Sequence, residues 1–173
     1  MNEVIKAITE RRSIKKYKST PVPSDKLERI LQSATYTASG KNRQAAIMIC
    51  VTNKELRDKL SALNAKILGT DIDPFYGAPA VVVVLADMQY NTAIYDGSLV
   101  MGNLMLAAYS EGIDSCWIHR AKEMFETDEG KKLLAELGIE GNYQGIGNCV
   151  LGYRDCEYPE AKPRKEKYIY YVK

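Results

Sequence analysis

The chain has 173 residues, a length that is typical of one domain and too short for a large barrel enzyme. Hydrophobic residues make up 46% of the sequence, which is enough to build a buried core and excludes a disordered chain. The 24 basic and 22 acidic residues leave a formal net charge of +2, so the chain as a whole has no strong attraction to nucleic acid or to a membrane surface.

The sequence lacks the features of membrane, secreted and metal-binding proteins. Its apolar runs, such as residues 78–86, fall far short of the ~20 residues that span a bilayer. The charged residues within positions 1–12 exclude the apolar core of a signal peptide, so we expect a cytoplasmic protein. There is no CxxC pair and only one histidine, so we expect no metal site and interpret the cysteines as thiols: Cys50, Cys116, Cys149 and Cys156.

The first part of the chain predicts two helices and a polar loop. Apolar residues at helical spacing place the first helix over residues 3–11. Ser24 follows Pro23 and is the expected N-cap of a second helix, which we expect to end near Tyr36. Residues 37–44 (TASGKNRQ) are small and polar around a glycine, which is typical of a loop whose backbone approaches a ligand closely.

Two continuous apolar runs that are rich in β-branched residues predict buried strands. These are residues 46–51 and 79–85, and we expect both to be central strands that are covered on two faces. Between them, residues 54–63 predict a helix, which is followed by an irregular segment through Asp73 and Pro74.

Residues 92–111 predict a long helix that is apolar nearly all round. A domain of 173 residues has little protein with which to cover such a helix on every side, so we expect a second subunit to cover part of it. The remaining pattern predicts strands over residues 113–118 and 146–151, and a helix that Thr127 caps and that runs through Leu137. This order of elements predicts an α+β sandwich.

A basic run follows the first predicted helix. Five of the eight residues over 11–18 (RRSIKKYK) are basic, and such a run is most often a solvated face. Alternatively, the run forms an anion site, because Arg11, Ser13 and Lys15 stand two apart and project to the same side of an extended backbone. Their guanidinium, hydroxyl and ammonium groups together suit the oxygens of a phosphate.

Paired polar residues elsewhere in the chain also suit a ligand. Lys162 and Arg164 form a second alternating cation pair, around a proline that favours an extended backbone. Asn42 and Gln44 are amides two apart in the polar loop, where they suit either a plain turn or the edge of a ring that donates and accepts hydrogen bonds. Asn64 directly follows a predicted helix, where a C-terminal cap is the more common role than a ligand contact.

Cys116 and His119 invite comparison with a Cys/His nucleophile. In a strand the two side chains would point to opposite faces, and no nearby carboxylate would orient the histidine, so we do not favour this interpretation. The sequence contains no GxGxxG, P-loop, HExxH or GxSxG motif, which removes the usual signatures of nicotinamide-binding domains, NTPases, zincins and hydrolases.

Six motifs occur in one order along the chain: RRSIKKY after the first helix, SGKNRQ before the first strand, GAPAVVVV, SEGIDSCWI at the end of the long helix, GIGNCVLGY, and KPRK in the tail. Together they resemble the nitroreductase family of FMN-dependent oxidoreductases, and the resemblance spans essentially the whole chain. It implies one domain over residues 1–173, a mainly antiparallel sheet between helices, and an intertwined homodimer with one FMN in each of two interface clefts. The tail, residues 153–173, would pack on the partner subunit.

The resemblance also implies which residues contact FMN. The basic residues near both chain ends would hold its phosphate, Ser13 and Lys15 would reach the ribityl chain and the pyrimidine edge, and the polar loop would come from the other subunit. Asn64 would hydrogen-bond the pyrimidine edge, and His119 would donate its main-chain N–H toward flavin N5. The full expected set is Arg11, Arg12, Ser13, Lys15, Ser39, Gly40, Asn42, Gln44, Asn64, Ile118, His119, Lys162 and Arg164.

The activity that the resemblance implies is hydride transfer from NADH or NADPH, through flavin N5, to a small electron-poor acceptor such as a nitroaromatic, a quinone or an enone, in a ping-pong sequence. The flavin carries the chemistry, so no catalytic side chain is expected. A module that stores FMN or senses redox state without turnover is the alternative. A nucleic-acid-binding domain built on residues 11–18 is a third possibility, which the net charge of +2 disfavours.

The chain departs from the family pattern in two places. It has Ala45 and Ala46 where the family often has a proline and an aromatic residue, and it lacks the inserted helices with which larger members cover the substrate. We therefore expect an acceptor pocket that is open or that residues 71–76 shape.

Overall fold

The computed structural model describes residues 2–173 and contains a four-stranded sheet. Its strands are β1 (Ala46–Val51), β2 (Ala80–Asp87), β3 (Asp114–Ile118) and β4 (Tyr143–Gly152), in the order β1-β2-β4-β3. Every neighbouring pair is antiparallel. The α+β class and the mainly antiparallel sheet are therefore confirmed.

Six helices flank the sheet within residues 2–173: α1 (Glu3–Glu10), α2 (Ser24–Thr35), α3 (Lys54–Leu68), α4 (Ala93–Ser110), α5 (Ala121–Glu126) and α6 (Asp128–Glu136). A short 3-10 turn, Gly40–Asn42, lies in the polar loop. Thr127 caps α6 as predicted, because its side chain accepts the Gly130 N–H. The sequence pattern did not predict α5, since six residues are too few to establish a helical period.

β2 lies between two hydrophobic layers. Val82 and Val84 belong to one layer, which α2 and α4 complete, while Val81 and Val83 belong to the other, which α3 and α5 complete. All four valines are fully buried. Burial on both faces explains why β2 has a continuous apolar sequence rather than an alternating one.

Three sequence-based expectations about element ends and edges are wrong. β1 is an edge strand, because it pairs only with β2, and most of its residues are partly exposed. Ser24 is the first residue of α2 rather than its N-cap; Pro23 holds the cap position, and no side chain caps this end. α3 continues to Leu68 and ends at the left-handed Gly69, so Asn64 lies inside the helix and does not cap it.

α4 packs closely on the sheet with one side and leaves the other side open. Gly97 permits the close approach, since a Cβ there would lie 2.6 Å from Cγ1 of Ile146. On the open side, Ile94, Tyr95 and Leu99 are exposed. This is the helix that the sequence predicts a second subunit to cover. No helix within residues 2–173 has the length and apolar character needed to cross a membrane.

The segment between α1 and α2 pairs with the start of the tail. Tyr17 and Arg154 form an antiparallel bridge, and the Lys18 N–H donates to the Tyr153 carbonyl at 2.8 Å. Residues 159–173 form no helix or strand and are exposed throughout. The tail therefore has a paired base and an open end.

Candidate functional site

Three alternating residues after α1 lie together at the edge of the core. The Ile14 N–H donates to a β3 carbonyl at 3.1 Å, and its side chain is fully buried, whereas Ser13 and Lys15 are exposed. Burial raises the pKa of the Cys116 thiol, and Ser13, Lys15 and Arg11 each act on this thiol to lower that pKa. The structure thus brings together the three side chains that the alternating spacing predicts on one side.

Arg11 has an unused hydrogen-bonding position. Its Nη1 is buried and has no hydrogen-bond partner among residues 2–173. Ser115 forms a parallel backbone bridge with Ser13, and its hydroxyl is buried and unpartnered within the same range. A buried donor without an acceptor is costly, so these groups fit an anionic oxygen ligand such as a phosphate. Arg12 has such a position as well, because its Nε is buried without a partner among residues 2–173, while its Nη1 donates to the carbonyls of Thr9 and Arg11, at 2.8 Å each.

The thiols near this cationic side are not nucleophiles. Burial raises the pKa of Cys116, and the Ser13 hydrogen bond and the nearby cations offset this effect only in part. Burial also raises the pKa of Cys149, to about 12. Both thiols are therefore protonated at neutral pH. His119 is exposed while Cys116 is buried, and within residues 2–173 no cluster of three or more ligating side chains could hold a metal ion.

A buried amide network holds the end of β3. The carbonyl of His119 accepts from Nδ2 of Asn64 at 2.8 Å and from Nδ2 of Asn148 at 3.4 Å, and Asn148 also donates to the Ile118 carbonyl. Nε of Arg120, a residue with the left-handed φ of 74°, donates to Oδ1 of Asn64 at 3.1 Å. Both asparagines are fully buried. The network fixes the peptide groups around His119, through which that residue was expected to act.

Sequence reasoning missed Asn148 and Arg120. The available signal was the polar Asn148 within the otherwise apolar end of β4, since a polar side chain at a fully buried strand position needs specific partners. Oδ1 of Asn148 is buried and has no partner among residues 2–173, which leaves one acceptor open in the network.

The polar loop is held at its start and open at its tip. The Gly40 N–H donates to Oδ1 of Asp96 on α4 at 3.0 Å, and a Cβ at Gly40 would lie 2.5 Å from Oγ1 of Thr92. Ser39 Oγ accepts the Gln44 N–H at 3.1 Å. Glycine is therefore favoured at position 40 by the close approach of the Thr92 side chain, and Asp96 is an anchoring residue that the sequence pattern did not reveal.

The tip of the loop has an unusual backbone. Lys41, Asn42 and Gln44 have φ values of 53°, 52° and 52°, in the left-handed region that side-chain-bearing residues seldom adopt. The Gln44 amide donates to Oδ1 of Asn42 at 3.3 Å, and both side chains are exposed. A pocket of about 150 Å³ lies beside the loop, between its residues and the start of α4. The loop therefore presents its amides outward.

The two cations of the tail, Lys162 and Arg164, are not hydrogen-bonded to Arg11 among residues 2–173. Lys162 and Arg164 are exposed, and the Arg164 guanidinium donates to the Lys162 carbonyl, at 2.6 Å from Nη2 and 3.2 Å from Nε. The start of the tail, residues 153–158, lies closer to Arg11, because the hydroxyl of Tyr158 hydrogen-bonds the backbone on both sides of Arg11.

A second set of polar contacts fixes the segment over residues 71–76. Asp73 accepts from Nη2 of the buried Arg57 at 2.6 Å, from the Ser61 hydroxyl, and from the N–H groups of Phe75 (2.9 Å) and Gly77 (2.7 Å). Burial opposes ionisation of Asp73, but these hydrogen bonds outweigh it and hold the pKa of the carboxyl below its usual value. The segment is thus pinned to α3.

The sequence and the fold match those of known proteins. A family model described as the nitroreductase family matches residues 8–73 and 71–153. A protein of Archaeoglobus fulgidus with the provisional name NADH dehydrogenase/NAD(P)H nitroreductase is 31% identical over 98% of this chain and 91% of its own length. An NADPH-flavin oxidoreductase of Vibrio harveyi is 27% identical over 98% of this chain and 72% of its own length.

Two solved structures are similar over their whole length. A nitroreductase of Bacteroides fragilis with bound FMN has a TM-score of 0.91 at 27% identity, and one of Desulfitobacterium hafniense, also with bound FMN, has a TM-score of 0.88 at 31% identity. Both comparisons cover 100% of this chain and 100% of the other chain.

Proposed function

We propose a reaction for this chain, which belongs to the nitroreductase family and is an NAD(P)H-dependent flavin oxidoreductase that uses FMN. It passes a hydride from NADH or NADPH to a small electron-poor acceptor, such as a nitroaromatic, a quinone or an enone, by a ping-pong sequence. The observation that carries the proposal is the buried Nη1 of Arg11, which has no acceptor within residues 2–173 and belongs to the segment that also carries Ser13 and Lys15. When bound, FMN supplies a site that accepts and releases a hydride.

The residues of this chain bind and orient the cofactor. Arg11, Lys162 and Arg164 hold the phosphate by charge-assisted hydrogen bonds. Ser13 and Lys15 hold the ribityl chain and the pyrimidine edge, where a cation stabilises the negative charge that reduction adds. Arg12 supports its neighbour through the backbone contacts described above.

Backbone and amide groups complete the proposed site. The peptide groups of Ile118 and His119 line the ring. Asn64, which is fully buried and bonded to the His119 carbonyl and to Nε of Arg120, supports them from inside the protein, together with Asn148. Ser39, Gly40, Asn42 and Gln44 come from the other subunit. No side chain of this set transfers a proton or forms a covalent bond, which agrees with the protonated state of the buried thiols.

The proposed site requires a homodimer. Exposed apolar residues on α1 (Val4, Ile5 and Ile8) and on the open side of α4 support an interface between two copies. The tail over residues 153–173 begins along its own chain, through the contacts of Tyr153, Arg154 and Tyr158, so we assign the packing on the partner subunit to its exposed end, residues 159–173. The apolar residues of that end are 65% to 99% exposed over 168–172, and β1 has a free edge that an extended segment could pair with. A cytoplasmic location belongs to the same proposal, since NADH and NADPH are the electron donors.

The purified protein tests the proposal. We expect about one FMN per chain, a dimer by light scattering, and loss of the oxidised flavin absorbance when NADH or NADPH is mixed anaerobically. Adding a quinone or nitroaromatic should then restore that absorbance, and steady-state rates should give parallel double-reciprocal lines. Bound FMN that neither nicotinamide reduces would contradict the proposed activity and favour a storage or sensing module. Protein that takes up no FMN would contradict the site as well.

A further inference from the structure

The phenol of Tyr158 joins the end of α1 to the tail. The hydroxyl of Tyr158 accepts the Arg12 N–H at 3.0 Å and donates to the Glu10 carbonyl at 2.9 Å. These two groups belong to the peptide units on either side of Arg11. Glu10 is also the last residue of α1, where carbonyls have no partner within the helix. The phenol therefore fixes the backbone from which Arg11 projects.

The ring of Tyr158 is itself held in place. The guanidinium of Arg154 lies over it, 4.9 Å from the ring centroid. Arg154 is fixed in turn by Asp114 of β3, which accepts its main-chain N–H at 2.9 Å and its Nη1 at 3.2 Å and 3.3 Å. The Asp155 N–H donates to the Lys16 carbonyl at 3.0 Å. The start of the tail, residues 153–158, thus runs along the segment after α1, and the hydroxyl of Tyr158 is bonded to the backbone beside Arg11.

The position of Tyr158 limits where the tail cations can go. Lys162 lies four positions further along the chain, and four extended steps span at most about 14 Å. Without the phenol contact, the first fixed point of the tail is further back and Lys162 and Arg164 can range more widely. The hydroxyl therefore reduces the conformational freedom that the tail cations lose when they close on an anion beside Arg11.

We propose that Tyr158 is a positioning residue that couples the two halves of the phosphate site, Arg11 on one side and Lys162 with Arg164 on the other. This inference rests on the proposed binding of FMN. Because Tyr158 acts only through the anion site, loss of its hydroxyl should weaken the binding of a flavin that carries a phosphate and should leave the binding of a flavin without one unchanged.

The test compares FMN with riboflavin on the whole protein, by fluorescence titration of the protein after its flavin is removed. For Tyr158→Phe, which keeps the ring under Arg154, we expect FMN affinity to fall about five- to tenfold, as for loss of one well-formed hydrogen-bonded clamp. Riboflavin affinity should not change. Tyr36→Phe, which removes the same hydroxyl from an exposed tyrosine, should change neither affinity. In a double-mutant cycle, Tyr158→Phe should cost much less FMN affinity when Arg164 is already alanine.

A second measurement needs no flavin. In Tyr158→Phe, amide hydrogen exchange should accelerate at Arg12 and stay unchanged at Ile14, whose N–H is bonded to β3. Equal loss of FMN and riboflavin affinity would reduce Tyr158 to a general structural role and overturn the proposal, as would unchanged FMN affinity. Wild-type protein that binds no FMN would instead contradict the proposed function.

Discussion

The two sides of the candidate site differ in how a single chain holds them. Arg11, Ser13 and Lys15 stand on a segment that is bonded to β3, with Ile14 buried beneath them. The loop over residues 39–44 is held at Gly40 by Asp96 and at Arg43 by stacking on Tyr90, but its tip has a left-handed backbone and the amides of Asn42 and Gln44 face outward. The first side is thus built on the core of one subunit, whereas the amides of the second side contact only each other within their own chain. A site that joins two subunits explains both.

The largest expected effect is on the side that the single chain completes. Arg11→Met removes the guanidinium, whose Nη1 is buried, while keeping much of its apolar stem. FMN affinity should therefore fall on the order of 30-fold or more, the loss of a charge-assisted contact of about 2 to 3 kcal/mol. Fluorescence titration with FMN measures this change in affinity. Lys16→Met, on the same segment and paired with Asp155, is the matched control and should change FMN affinity little. Equal losses in both variants would show that the effect comes from net charge alone.

A smaller effect is expected from the tail. Arg164→Ala should lower FMN affinity about tenfold, because it removes one exposed charge-assisted phosphate contact, while the fold survives. The affinity of this variant for riboflavin should equal that of the wild type. Unchanged FMN affinity would remove the tail from the site.

The loop side should respond more weakly. Gly40→Ala forces the new methyl group against Thr92, so we expect a loss of about 1 to 2 kcal/mol in the free energy of unfolding and a few-fold loss of FMN affinity. Urea unfolding and flavin titration measure the two effects. Thr92→Ala in the same chain should recover part of both, since it removes the closest atoms. Without such recovery, the close contact is not the cause.

The smallest expected effect lies outside both sides, in the pinned segment at Asp73. Its folded pKa lies below the unfolded value, so the carboxylate contributes stability above pH ~4, and this contribution is lost as pH falls through the folded pKa. Because the side chain is partly exposed, we expect Asp73→Asn to cost only about 1 kcal/mol at pH 7. The cost should shrink in acid, as followed by urea unfolding between pH 7 and pH 3. A cost independent of pH would assign the effect to geometry instead.

Much of the framework could be predicted because it depends on local pattern. The apolar run of β2 predicts a strand buried on both faces, and Thr127 predicts the start of α6, since each signal lies within a few residues of the element it specifies. The same patterns gave a wrong prediction where contacts with a distant part of the chain determine the position of an element. β1 has the composition of a central strand but lies at the sheet edge, because strand order is set by contacts across the whole domain.

The same division applies to the candidate site. Arg11, Ser13 and Lys15 were found from their spacing, since alternation in an extended segment needs no tertiary information. Asn148, Asp96 and Tyr158 could not be found in this way, because each is defined by a partner far along the chain: the end of β3, the start of the loop, and the backbone around Arg11.

By itself, the sequence determined the four strands and every helix except α5, the α+β class, the alternating cations near each end, and the motifs of the nitroreductase family. Only the tertiary structure decided that β1 is an edge, that Asn64 is buried inside α3, and that a tyrosine of the tail closes on the backbone of Arg11. The reason is physical. Local periodicity specifies which face of an element is apolar, whereas the pairing of buried polar groups depends on which remote groups the completed fold brings within hydrogen-bond distance.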